Sequence, residues 1–332
     1  MSPGLQRFFR VPEASEPGPG VVLSGMCGFG GECPWSAVVA DSEPIALSLP
    51  DQRLLDIEVS GPSDGVPLVY YHGSSTSGRQ FRFLQRAAHD RGLRLVSFSR
   101  PGVGTSTRLP GRSVVDTVND VAAVLDHLGA PRSLHLGWSG GGPHALAAAA
   151  RLPERVAGAT VMCSVAPYEE LGSEFFVGMA QSNADEFNKA LQGEDAIRPA
   201  MEDEAQGKRS AGAEEVRQIL MSLLSPADRI LATAETAADI GASWAEGLRH
   251  GVDGWVDETL SYVKPWGFSV REIAVPTVVW HGAEDLAAPF AHGAWLAQHI
   301  PGATSHLLKG HGHMSIFLSS IDRALDELLS TL

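Results

Sequence analysis

Leu134-His135-Leu136-Gly137-Trp138-Ser139-Gly140-Gly141-Gly142-Pro143-His144 is the stretch that decides how this chain folds. Residues 133–136 read as a short buried strand ending at Gly137, and 145–150 as a helix of small residues. Between them, Gly137-Trp138-Ser139-Gly140-Gly141 is a G-x-S-x-G in a strand–turn–helix setting. So tight a turn leaves no room for side chains two places to either side of the serine. It also forces Ser139 into a strained conformation that lifts its hydroxyl above the sheet edge. The helix that follows offers free N–H groups and a positive dipole end to a developing anion. Ser139 is the candidate nucleophile.

Working outward, 44–49 and 54–59 read as strands, and 67–71 as a continuous apolar strand of the kind buried in parallel sheets. Residues 81–91 are helical by spacing, and 93–98 form the next strand. An amphipathic helix is expected over 113–128, with Val114, Val118, Val121, Val124, Leu125 and Leu128 on one face. One more strand is expected over 156–163. The order β-β-β-α-β-α-β-α-β predicts a mainly parallel sheet flanked by helices. From 167 to 268 the strand signal disappears. The stretch has helical spacing, with breaks expected near Gly193, Pro199, Gly207, Pro226 and Gly251. Strands at 275–281 and 304–308 and helices at 289–299 and 315–329 then resume the α/β rhythm.

Loops at the carboxyl ends of parallel strands converge on one edge of the sheet, and three of them carry chemistry that suits a serine. His281-Gly282-Ala283-Glu284-Asp285 offers a carboxylate to orient an imidazole; Asp285 is the choice and Glu284 the lesser one. Lys309-Gly310-His311-Gly312-His313 offers the base that a serine hydroxyl needs. His313, after a glycine and just before the last helix, is preferred, with His311 on the rim. His72-Gly73-Ser74 offers a backbone donor from Ser74 which, with the N–H of Gly140, would hold an oxyanion. His72 is given a structural role, its ring bonding nearby backbone.

These motifs resemble the α/β-hydrolase fold, and the likeness runs from about residue 44 to the end. Arg100-Pro101-Gly102-Val103-Gly104 and Gly137-Trp138-Ser139-Gly140-Gly141-Gly142 are similar to the capped serine hydrolases of bacteria. The resemblance implies an eight-stranded, mainly parallel sheet in a core of residues 41–166 and 269–332. It also implies a helical cap over 167–268, with Ser139, Asp285 and His313 as the triad. Dehalogenases and epoxide hydrolases of the family have aspartate where this chain has Ser139. Proline iminopeptidases share a glycine-proline-rich oxyanion loop, from which Ser74-Ser75-Thr76 departs.

The expected function is cleavage of an ester or related acyl bond, as in carboxylic-ester hydrolases, without metal or organic cofactor. Alternatives on the same triad are a C–C bond hydrolase, a lactonase or a perhydrolase. A ligand-binding signalling protein of the same fold is the alternative outside enzymes. The aromatic and soft residues of the insertion point to a small or medium, mostly neutral substrate. Trp138, Phe176, Met179 and Trp266 are the expected pocket residues, although at helical spacing such residues also serve as an insertion's own core.

Composition bounds the rest. Of 332 residues 44% are hydrophobic, and 25 Lys and Arg against 39 Asp and Glu leave a net charge of −14. That disfavours nucleic acid and anionic lipid as partners. No run approaches the ~18 apolar residues a membrane span needs. Three cysteines, Cys27, Cys33 and Cys163, suggest a reducing compartment, hence cytoplasmic location, and no disulfide framework. Two of them do not make a zinc site. Residues 1–40, with five prolines and no periodicity, read as a flexible extension without the apolar core of a signal peptide. A monomer or a homodimer is expected.

Overall fold

The computed structural model describes residues 45–332, so the expected extension over 1–40, with Cys27 and Cys33, lies outside the described residues. Eight strands form one sheet: β1 (Ile45–Ser48), β2 (Leu54–Ser60), β3 (Pro67–Tyr71), β4 (Arg94–Phe98), β5 (Ser133–Trp138), β6 (Val156–Met162), β7 (Thr277–Gly282) and β8 (Thr304–Leu308). Their order across the sheet is β1-β2-β4-β3-β5-β6-β7-β8. β1 and β2 join antiparallel at one end, and every pairing from β4 through β3 to β8 is parallel. β5, the strand before Ser139, is central and buried along its whole length.

Alternation along the strands feeds two cores. Leu68 and Tyr70 of β3 face one side, with Leu134 and Leu136 of β5. Helices α1 (Arg82–His89) and α12 (His313–Leu329) cover that side through Leu84, Phe317 and Ile321. Val69 and Tyr71 face the other side. There α2 (Thr117–His127), α3 (Gly142–Arg151) and α11 (Phe290–His299) close over them through Val121, Leu146 and Leu296. Burial on both faces explains why β3 is an unbroken apolar run instead of an alternating one.

Between β6 and β7 the chain is helical: α4 (Tyr168–Leu171), α5 (Gln181–Gln192), α6 (Glu194–Ser210), α7 (Ala213–Leu223), α8 (Pro226–Arg229), α9 (Ala234–Gly247) and α10 (Asp253–Tyr262). Two breaks expected from sequence are absent. Pro199 and Gly207 both lie inside α6. Pro199 comes near the amino end, where the missing N–H removes a single helical bond. Ile197, Met201 and Ala205, one turn apart and buried, hold the helix together along one face. Among the described residues no helix is long and apolar enough to cross a membrane.

Candidate active site

The turn after β5 has the geometry that its glycines imply. Ser139 sits at φ 54°, in the left-handed region that non-glycine residues avoid. A Cβ on Gly137 would lie 2.7 Å from the Gly142 Cα, and one on Gly141 would run into the carbonyl of Tyr71. Small residues on both sides therefore let β5 turn straight into α3, with Ser139 at the apex.

His313 and Asp285 meet from the loops after β8 and β7. His313 Nδ1 is 2.8 Å from Asp285 Oδ2. The other carboxylate oxygen accepts the N–H groups of Ala287 and Ala288 at 2.8 and 2.9 Å. Burial alone would raise the Asp285 carboxyl, but the His313 imidazole against it outweighs that and keeps it below the usual aspartate value. Burial alone would lower His313. The charge and hydrogen bond of Asp285, with a further push from Asp228, hold it above the ordinary histidine value. A carboxylate on Nδ1 fixes the proton there and leaves Nε2 free to accept one. Glu284 is exposed. The His311 ring bonds the Lys309 carbonyl at 3.1 Å.

Asp228 of α8 is a residue that sequence reasoning missed. Its fully buried carboxylate caps the start of α12. Oδ2 accepts the His313 N–H at 3.0 Å, and Oδ1 accepts those of Met314 and Ser315 at 3.0 and 2.7 Å. Side-chain hydroxyls of Ser315 and Ser225 add bonds at 2.7 and 3.0 Å. A Cβ on Gly312 would occupy the place of this carboxylate, so the glycine before His313 is the trace that Asp228 leaves in the sequence.

The loop over 72–74, expected to supply an oxyanion donor, is held by Arg100. Arg100 donates to the carbonyls of His72 and Gly73 at 2.7 and 3.2 Å and pairs with the buried Glu258 of α10. The Tyr262 hydroxyl lies 2.7 Å from the Gly140 carbonyl and also contacts Glu258. Burial alone would raise Glu258, yet the Arg100 guanidinium leads a set of neighbours that bring it down to about 2. His72 bonds backbone at both nitrogens, Nδ1 to the Gly73 carbonyl at 2.8 Å and Nε2 to the Arg100 N–H at 3.3 Å. Burial keeps its pKa well below the ordinary value. A Cβ built on Gly140 would lie 3.2 Å from the Ser74 nitrogen, so the two expected donors are close neighbours.

A cavity of about 340 Å³ lies over this edge, lined by Ser139, His313, Gly140, Ser74 and Trp138 among others. Trp138 stacks on Phe317 and tilts against His313, so it forms a wall behind that imidazole. Three expected pocket residues need correction, because Phe176, Met179 and Trp266 do not line this cavity. Trp266 has no exposed surface and belongs to the core on the α2–α3 side. Phe176 packs on Tyr168 and Phe175, and Met179 lies against the same core. In their place the insertion contributes Glu186, Lys208, Leu220, Trp244 and Trp255.

Cys163, Asp285 and His313 bring ligand-type atoms within 4.8 Å of one another. This set does not suit a metal. Asp285 is committed to His313 and two backbone donors. Burial pushes the Cys163 thiol well up, and it lies 3.3 Å from the His313 carbonyl as a donor.

The model of a family described as the alpha/beta hydrolase fold matches residues 66–320. A non-heme chloroperoxidase of Streptomyces lividans is 32% identical over 133 residues, 40% of this chain and 48% of that one. This chain thus aligns with less than half of that relative. A bifunctional esterase/perhydrolase of Acinetobacter calcoaceticus is 24% identical over 69% of this chain and 78% of its own. Among solved structures, a thermophilic esterase of Thermogutta terrifontis superposes with a TM-score of 0.62 at 18% identity, covering 87% of this chain and 98% of that one. At that identity the likeness concerns the fold.

Proposed function

This chain belongs to the α/β-hydrolase fold family, and from that premise we propose that it is a serine hydrolase cleaving an ester or related acyl bond through an acyl-enzyme. The observation that carries the reading is the His313–Asp285 pair at 2.8 Å opening onto the cavity that Ser139 also lines. In this reading the Ser139 hydroxyl attacks the acyl carbon and its proton passes to His313 Nε2. The Gly140 and Ser74 N–H groups take up the oxyanion. His313 then returns the proton to the leaving alkoxide, and a water deprotonated by His313 releases the acid. The helices of 167–268 act as a cap that supplies much of the pocket wall and limits the access of bulk water. The apolar side chains among the lining, Val165, Leu220, Ile240 and Met314, favour a small or medium, mostly neutral acyl substrate.

The test is turnover of p-nitrophenyl acetate, butyrate and octanoate. Ser139→Ala and His313→Ala are expected to lose about 10³-fold or more in kcat. Equal rates in all three proteins would remove the reading.

A second reading is favoured by the activities for which two relatives are named, the chloroperoxidase and the esterase/perhydrolase. Hydrogen peroxide would then replace water as the acceptor of the acyl group, giving a peracid. Peracid formation from acetate and peroxide, lost in Ser139→Ala, distinguishes it from plain hydrolysis.

A further inference from the structure

The wall that the insertion contributes to the cavity holds a buried ammonium. Lys208, in the last turn of α6, has a side chain only 8% exposed. Its Nζ lies 4.4 and 4.9 Å from the ring centres of Trp255 and Trp244. A lysine near a helix end ordinarily reaches solvent, and burying its charge is unfavourable unless partners replace the water. Glu204 at 2.7 Å and the Ser75 hydroxyl at 3.3 Å take two of its three donors. Among the described residues no acceptor takes the third. Lys208 lines the same cavity as Ser139, and Ser75 follows the oxyanion-loop residue Ser74 directly.

We propose that Lys208 recognises a neutral hydrogen-bond-accepting oxygen, such as a keto or ester carbonyl, on the part of the substrate remote from the scissile bond. This deepens the serine-hydrolase reading and rests on it for the nature of the scissile bond. The other ligand chemistries fit less well. A substrate cation would need the place between the two indoles, which the ammonium already fills. A second carboxylate on the substrate would face Glu204, which lines the same cavity and already pairs with the lysine. Glu186 accepts from Trp255 Nε1 and the Thr259 hydroxyl at 3.3 and 3.1 Å, both on one oxygen. It therefore adds polar surface beside Lys208. A neutral acceptor takes the free donor without displacing Glu204.

The test compares matched p-nitrophenyl esters: plain acyl chains, the same chains with a keto oxygen on carbon 4, 5 or 6, and counterparts ending in a carboxylate at those positions. Wild type is expected to prefer one keto ester over its plain match by about tenfold or more in kcat/KM, the size of a charge-assisted hydrogen bond. In Lys208→Met that ratio falls toward one. In Glu204→Gln, where the lysine loses its charged competitor, the ratio rises. The carboxylate esters are expected to be the poorer substrates. A ratio near one throughout in wild type, a ratio that Lys208→Met leaves in place, or a preference for the carboxylate would each overturn the proposal.

Binding separates this proposal from the chemistry. Calorimetry of methyl 5-oxohexanoate against methyl hexanoate, with the matching 4- and 6-oxo pairs, on Ser139→Ala and Ser139→Ala/Lys208→Met requires no turnover. If no ester is hydrolysed, the serine reading fails, and these pairs still decide Lys208: keto selectivity lost with the lysine supports it, and equal affinities refute it.

Discussion

Removing the Asp228 carboxylate should uncouple His313 from its place without touching any member of the proposed triad. In Asp228→Ala the three backbone donors of His313, Met314 and Ser315 lose their acceptor. Each orphaned buried donor is worth about 1–3 kcal/mol. The lower figure for all three gives about 3 kcal/mol, above the ~1–2 kcal/mol of a single lost helix cap. At roughly 2–4 °C per kcal/mol for a large domain, the melting temperature should fall by about 6–12 °C. The start of α12 carries His313, the proposed base, so catalysis should fall too, by about tenfold to a hundredfold in kcat with KM changed less. Asp228→Asn is the sharper probe. One of its two acceptor oxygens becomes an N–H₂, which cannot accept from the donors it faces. It also removes a negative charge that helps hold His313 up, so the acid limb of the pH–rate profile should move to lower pH. The assay is the pH dependence of kcat/KM on a p-nitrophenyl ester, read beside thermal melts. Wild-type kcat with an unmoved acid limb in a folded variant of lower melting temperature would refute the reasoning. Asp228 would then be a helix cap and nothing more.

Two further outcomes follow from the same geometry. In the proposed mechanism the base is neutral His313, whose pKa is held above the ordinary 6.5. Activity of the wild type should therefore fall with decreasing pH along a limb centred above 6.5, and a limb centred lower contradicts the assigned environment. Tyr262→Phe removes the hydroxyl 2.7 Å from the Gly140 carbonyl, and one poorly satisfied acceptor should lower kcat by roughly tenfold with little change in KM. An unchanged kcat would detach Tyr262 from the oxyanion site.

What the sequence revealed was what local chemistry encodes. The glycines around Ser139 report a turn too tight for side chains, and the apolar run of β3 reports a strand covered on both faces. The loops after β7 and β8 could be found because parallel strands bring their ends to one edge. Contacts between the insertion and that edge left almost no local trace. Asp228 is 85 residues from His313 and Tyr262 is 122 residues from Gly140, and helical spacing does not say which partner a helix face will meet. Gly312 is one such signal, since a Cβ there would run into the Asp228 carboxylate, and Gly254, packed against Gly102, is another. Arg100 stood in a motif noted for its resemblance, yet its role depends on Glu258, which nothing in the sequence links to it. Phe176, Met179 and Trp266 went astray for the opposite reason: apolar composition marks residues that leave water and does not say whether they enter a core or line a pocket.

The central claim is that Ser139 is the nucleophile. Its most direct measurement is intact-mass and peptide-level mapping after treatment with a fluorophosphonate. One adduct per chain, on Ser139, is expected, absent in Ser139→Ala, strongly slowed in His313→Ala and unaffected in His311→Ala. An adduct on another serine, or hydrolysis that persists in a protein unlabelled at Ser139, would contradict the account.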